Sequence, residues 1–116
     1  MAVRFPRVQE RKEKLQAKLK AMLDKIKTRD VEKVVLFGSL VTGELGSASD
    51  IDLIIIQKTT KRFLDRLEEW YTFLEPDVSV DILVYTPEEI SEMISWNRFI
   101  RMALEQGEVL FEAVRR

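Results

Sequence analysis

Cysteine and histidine are both missing from this 116-residue chain. Without cysteine there are no disulfides and no thiolate metal sites. Without histidine there are no zinc–histidine centres and no histidine-based triads. Chemistry must therefore rest on carboxylates, hydroxyls, lysine, arginine or a metal held through oxygen. No apolar run approaches the roughly 20 residues that a bilayer span requires. The N-terminus is charged rather than apolar, unlike a signal peptide. The expectation is a cytoplasmic protein with no membrane partner.

What is present suits one globular domain over residues 1–116. The hydrophobic share is 46% and the charged share 34%, and a chain of this size buries roughly two thirds of its unfolded surface. A net charge of −1 conceals a division: residues 1–30 hold ten Lys/Arg against four Asp/Glu, and the remainder nine against sixteen. A basic stretch can steer nucleotide, RNA or an acidic partner. We read it as a solvated helix face that complements an acidic body, and expect no direct nucleic-acid contact.

Periodicity lays out the elements. Val8, Leu15, Leu19, Met22, Leu23 and Ile26 recur at helical spacing over 8–28. Residues 33–37 read as a short buried strand that Gly38 ends. Residues 51–57 are apolar on both faces apart from Asp52, as in a strand covered on both sides. A helix is expected over 61–74 with Thr60 as N-cap, then a strand over 78–85. Thr86-Pro87-Glu88-Glu89 is a capping box that opens one or two helices, Gly107 suits a C-cap, and Val109 to Phe111 suit an edge strand. The short link between the first two strands predicts antiparallel or mixed pairing. The fold class expected is α/β (α+β), a small mixed sheet with helices mainly on one face.

Chemistry concentrates in residues 37–53. Gly38-Ser39 closes one apolar run, and ten residues later Asp50-x-Asp52 opens another. Strand side chains alternate with period two, so this spacing predicts both carboxylates on one side. Asp81 stands inside a later strand, where a carboxylate needs compensation. If that strand lies beside the Asp52 strand, Asp50, Asp52 and Asp81 converge. Crowded acids repel unless a cation or protons share the site. Oxygen-only ligation favours Mg²⁺ or Mn²⁺, and Mg²⁺ commonly completes its shell with substrate phosphates. A nucleoside triphosphate is then the expected substrate. Asp50 and Asp52 would bridge two ions, and Asp81 would accept the proton of an attacking hydroxyl. Gly38 lets the backbone approach phosphate, and Ser39 adds a hydroxyl and an N–H. Taken singly, each acid is more often structural: Asp50 suits a turn, and Asp81 suits a solvent-facing edge.

Gly-Ser, ten residues, Asp-x-Asp and a later strand aspartate resemble the nucleotidyltransferase superfamily that includes DNA polymerase beta. The short length resembles its minimal members, the MNT proteins. That resemblance implies Mg²⁺-dependent transfer of a nucleoside monophosphate, with ATP as donor. It makes Asp50, Asp52 and Asp81 the catalytic metal ligands, and places Gly38, Ser39, Gly43 and Ser49 in nucleotide binding. It also implies a partner, a HEPN-domain RNase toxin whose tyrosine is adenylylated by an MNT antitoxin. Where family members often carry arginine just after Gly-Ser, this chain has Leu40, Val41 and Thr42. The missing guanidinium weakens the grip on triphosphate unless a Lys or Arg from elsewhere replaces it.

Two other classes compete: a catalytically degenerate binding protein that neutralises a partner by covering it, and a small-molecule or RNA nucleotidyltransferase, which usually needs a second domain. A homodimer or hetero-complex is expected, because so small an enzyme exposes its catalytic sheet face. Trp70, Tyr71, Trp96 and Phe99 could stack on a base, but their spacing reads as core or interface. Arg98 and Arg101 read as exposed surface.

Overall fold

The structure is a computed structural model that describes residues 6–38 and 49–114. Helix α1 spans Pro6–Ile26. Strand β1 spans Lys33–Phe37 and β2 spans Ile51–Ile56. Helix α2 spans Phe63–Leu74, β3 spans Val80–Tyr85, α3 spans Pro87–Met93, α4 spans Arg98–Gln106 and β4 spans Glu108–Glu112. Among the described residues, no helix is long and apolar enough to cross a membrane.

The strands form one mixed sheet in the order β3-β2-β1-β4. β1 pairs antiparallel with both β2 and β4, whereas β2 pairs parallel with β3. A parallel neighbour needs a crossover, and α2 supplies it. Every residue of β2 is buried, as its unbroken Ile-rich run predicts for a central strand.

The long helices α1 and α2 share one face. There Leu15, Leu19, Met22 and Ile26 of α1 and Trp70 and Leu74 of α2 pack on Ile51, Leu53 and Ile55. The short pair α3 and α4 covers part of the other face, where Ile100 and Ala103 meet Val35, Ile54 and Ile56. The alternation of β2 thus assigns its even residues, Asp52 included, to the face with the thinner cover.

Local chemistry sets the helix ends. Thr86 accepts from the Glu89 N–H while the Glu89 carboxylate accepts from the Thr86 N–H, the capping box expected from the sequence. Asn97 caps α4 by accepting from the Ile100 N–H at 3.1 Å. Thr60 does not cap α2. The helix starts at Phe63 behind Arg62, which makes no side-chain cap bond, and the hydroxyl of Thr59 accepts from the Lys61 N–H instead. Gly107 ends α4 in extended rather than left-handed backbone. A Cβ there would sit 2.6 Å from Val35 Cγ1 and 2.8 Å from the Leu36 carbonyl, so the position is glycine for lack of space.

The outer side of β3 is occupied by the chain itself. The Tyr71 hydroxyl donates to the Val80 carbonyl at 2.7 Å and accepts from the Ile82 N–H at 3.0 Å. Arg66, buried in α2, donates to the Val84 carbonyl at 3.1 Å and to Glu89 at 2.6 Å.

Candidate active site

The parallel register places Asp52 of β2 directly beside Asp81 of β3. On its other side, Asp52 is the antiparallel partner of Phe37, the last residue of β1. The chain leaves β1 through Gly38 at φ +81°, a left-handed conformation that glycine adopts without strain. A Cβ on Gly38 would overlap Asp52 Oδ2. Glycine is therefore required twice, by backbone angle and by the closeness of the carboxylate. Sheet pairing thus joins three points distant in sequence: the end of β1, the start of β2 and the start of β3.

Ser49 binds the two acids together. Its hydroxyl contacts Asp52 Oδ1 and lies 2.9 Å from Asp81 Oδ2. A hydroxyl has one proton and cannot donate fully to both carboxylates. Asp52 is 4% exposed and Ser49 5%, whereas Asp81 is exposed. Two neighbouring carboxylates, one of them buried, in an all-oxygen setting form a donor set that fits a hard divalent cation.

Asp50 is placed differently. It precedes β2, which begins at Ile51, so strand alternation does not govern it. One carboxylate oxygen lies 2.5 Å from the Arg11 guanidinium of α1, and the other accepts weakly from the Ser79 N–H at 3.4 Å. The Asp50 N–H donates to the Ser79 carbonyl at 2.9 Å, which ties this turn to the approach of β3. Among the described residues, no group of three acids stands close enough to hold a metal ion. The structure brings Asp52, Asp81, Ser49 and Gly38 together and turns Asp50 toward α1. Ser39 and Gly43, like Leu40, Val41 and Thr42, lie outside the described residues.

A cleft of about 570 Å³ opens here, lined by Gly38, Asp52 and Asp81 with Phe37 and Phe99 beside them. This volume falls in the range of small-molecule sites. Phe37 and Phe99 meet edge to face, with ring centroids 5.6 Å apart. Phe99 is 55% exposed and Trp96 66%, so neither is core. Trp70 is core, and its indole N–H donates to Gln57. Arg98 and Arg101 are exposed as expected. Arg11 was not foreseen: in the sequence it is one cation among many on a basic helix, and the only hint was the charge division between that helix and the body.

A Methanocaldococcus jannaschii protein named "Putative protein adenylyltransferase MJ0604" is 31% identical over 83 residues, covering 70% of this chain and 79% of that protein. A crystal structure titled as a "putative nucleotidyltransferase" from Sulfolobus solfataricus superposes with a TM-score of 0.63 at 19% identity, covering 89% of this chain and 85% of that one; it shares the fold. The model of the nucleotidyltransferase domain family matches residues 18–110, from the middle of α1 into β4, and the chain belongs to that family.

Proposed function

We propose that this chain transfers a nucleoside monophosphate, AMP from ATP, to a protein side chain, and that it serves as the antitoxin paired with a HEPN-type toxin. The observation that carries the reading is the Asp52–Asp81 pair at one register position, with the Gly38 backbone against it. The name of the Methanocaldococcus jannaschii relative supports a protein acceptor.

In this reading the acceptor hydroxyl enters the cleft beside Asp81, whose carboxylate takes its proton. The oxygen forms a bond to the α-phosphorus, the α–β P–O bond breaks, and pyrophosphate departs with the bonding electrons. Gly38 admits the polyphosphate close to the main chain. Asp52 and Asp81, joined by Asp50, would hold Mg²⁺ or Mn²⁺, which when bound supplies neutralisation of the phosphate charge. The chain's own part is to fix the two carboxylates by sheet register and the Ser49 hydroxyl, so that little rearrangement is left for the reaction.

Incubation with α-labelled ATP, Mg²⁺ and the product of the neighbouring gene should label that product. Asp52→Asn should abolish labelling. Absence of transfer from the wild-type chain, or full transfer by the variant, defeats the reading.

The pairing of Asp50 with Arg11 favours a second reading, a binding protein that neutralises its partner without chemistry. It predicts that the Asp50→Asn/Asp52→Asn double variant neutralises the partner fully and without nucleotide.

A further inference from the structure

We propose that the Arg11 side chain has two stations. It holds Asp50 in the free protein, competing there with a divalent cation. Once displaced, it serves as the guanidinium for the polyphosphate. This inference rests on the nucleotidyl-transfer reading and assigns the phosphate grip that Leu40, Val41 and Thr42 cannot provide.

Several observations converge on this residue. Asp50 is the acid of the Asp-x-Asp pair that stands apart from Asp81, and Arg11 is the group it faces. Among the described residues, other arginines are held elsewhere: Arg29 by Glu69, Arg62 by Asp65, Arg66 by Glu89 and Arg101 by the Ile94 carbonyl. Arg11 comes from α1, whose apolar residues pack on the face of the sheet opposite Ile54 and Ile56, and its guanidinium meets Asp50, two residues before Asp52. Its side chain is 65% exposed and that of Asp50 26%. An exposed ion pair is weak, so a doubly charged ion can displace the guanidinium from Asp50 without disturbing packing. The freed guanidinium then stands beside the site with its fork of N–H donors unspent, and that fork matches phosphate oxygens.

The two roles give opposite signs in one variant. Calorimetric titration of the full chain with Mn²⁺ alone should show Arg11→Ala binding the ion roughly two- to fivefold more tightly than wild type, because an exposed competitor is gone. Titration with Mn²⁺ and a non-hydrolysable ATP analogue should show the same variant binding the analogue about tenfold more weakly, as expected for a lost charge-assisted contact. Arg11→Lys should recover part of the second effect, since it keeps the charge but not the fork. Unchanged affinities in Arg11→Ala, or two affinities moving in the same direction, overturn the proposal while leaving nucleotidyl transfer standing. A wild-type chain that takes up neither the ion nor the analogue overturns the nucleotidyl-transfer reading itself, and this proposal with it.

Discussion

At the scale of the residue, Gly38 carries the tightest constraint in the site. Its φ of +81° penalises any L-side chain, and the Asp52 carboxylate fills the space a Cβ would need. Gly38→Ala should cost about 2 kcal/mol from backbone conformation and crowding together, read as a lower urea midpoint with an unchanged slope. It should also weaken nucleotide binding, since the methyl group pushes the Asp52 carboxylate from its place beside Asp81. Asp52 was legible in the sequence because it interrupts an apolar strand, and Asp81 because it stands mid-strand. The orientation of Asp50 was not, because period-two alternation applies only inside a strand and Asp50 falls one residue before it. Arg11 was illegible for a related reason: its partner is 39 positions away, and no local pattern distinguishes one surface arginine from the next.

At the scale of the element, the junction of α2, β3 and α3 depends on Arg66. This side chain is 8% exposed and reaches the Lys61 carbonyl at 2.8 Å, the Val84 carbonyl at 3.1 Å and Glu89 at 2.6 Å. Arg66→Ala leaves the buried Val84 carbonyl without this donor and Glu89 without its cation, and should cost about 2 kcal/mol in chemical denaturation. Partial burial raises the carboxyl pKa of Glu89, but the hydrogen bonds from Arg66 and the Thr86 backbone and the Arg66 charge outweigh it. The net shift is downward from 4.5. A carboxyl that is more acidic in the folded state stabilises the fold above its unfolded value, and that contribution disappears as pH falls through the folded value. Thermal melts should therefore show a loss of stability below about pH 4.5 that is shallower in Glu89→Gln. The capping box was legible because its residues are contiguous. The clamp of Arg66 was not, because mid-helix arginine normally faces water. The Thr60 cap failed for want of tertiary information, since α2 begins three residues later.

At the scale of the whole molecule, the basic helix and the acidic body do meet, through Arg11 with Asp50 and Lys18 with Asp77. Those pairs are partly or largely exposed, whereas Ile26 is fully buried and Leu19 and Met22 nearly so. Apolar contact therefore dominates the docking of α1. Ile26→Ala should cost about 3 kcal/mol, while raising NaCl to roughly 0.5 M should cost less than about 1 kcal/mol. Parallel urea titrations would check both, and a salt effect larger than the truncation effect would reverse the ranking. The antiparallel pairing of β1 with β2 followed from their short link, the central place of β2 from its apolar run, and helices mainly on one face from the expected fold class; the neighbours of β3 and β4 did not, because no local pattern in a strand names its partner. Finally, the phenol of Tyr71 and the guanidinium of Arg66 have consequences for assembly. By answering the Val80 and Val84 carbonyls and the Ile82 N–H, they take up three of the groups that a foreign strand would pair with on that flank. A companion molecule that sought to lengthen the ladder there would first have to displace a phenol and a guanidinium.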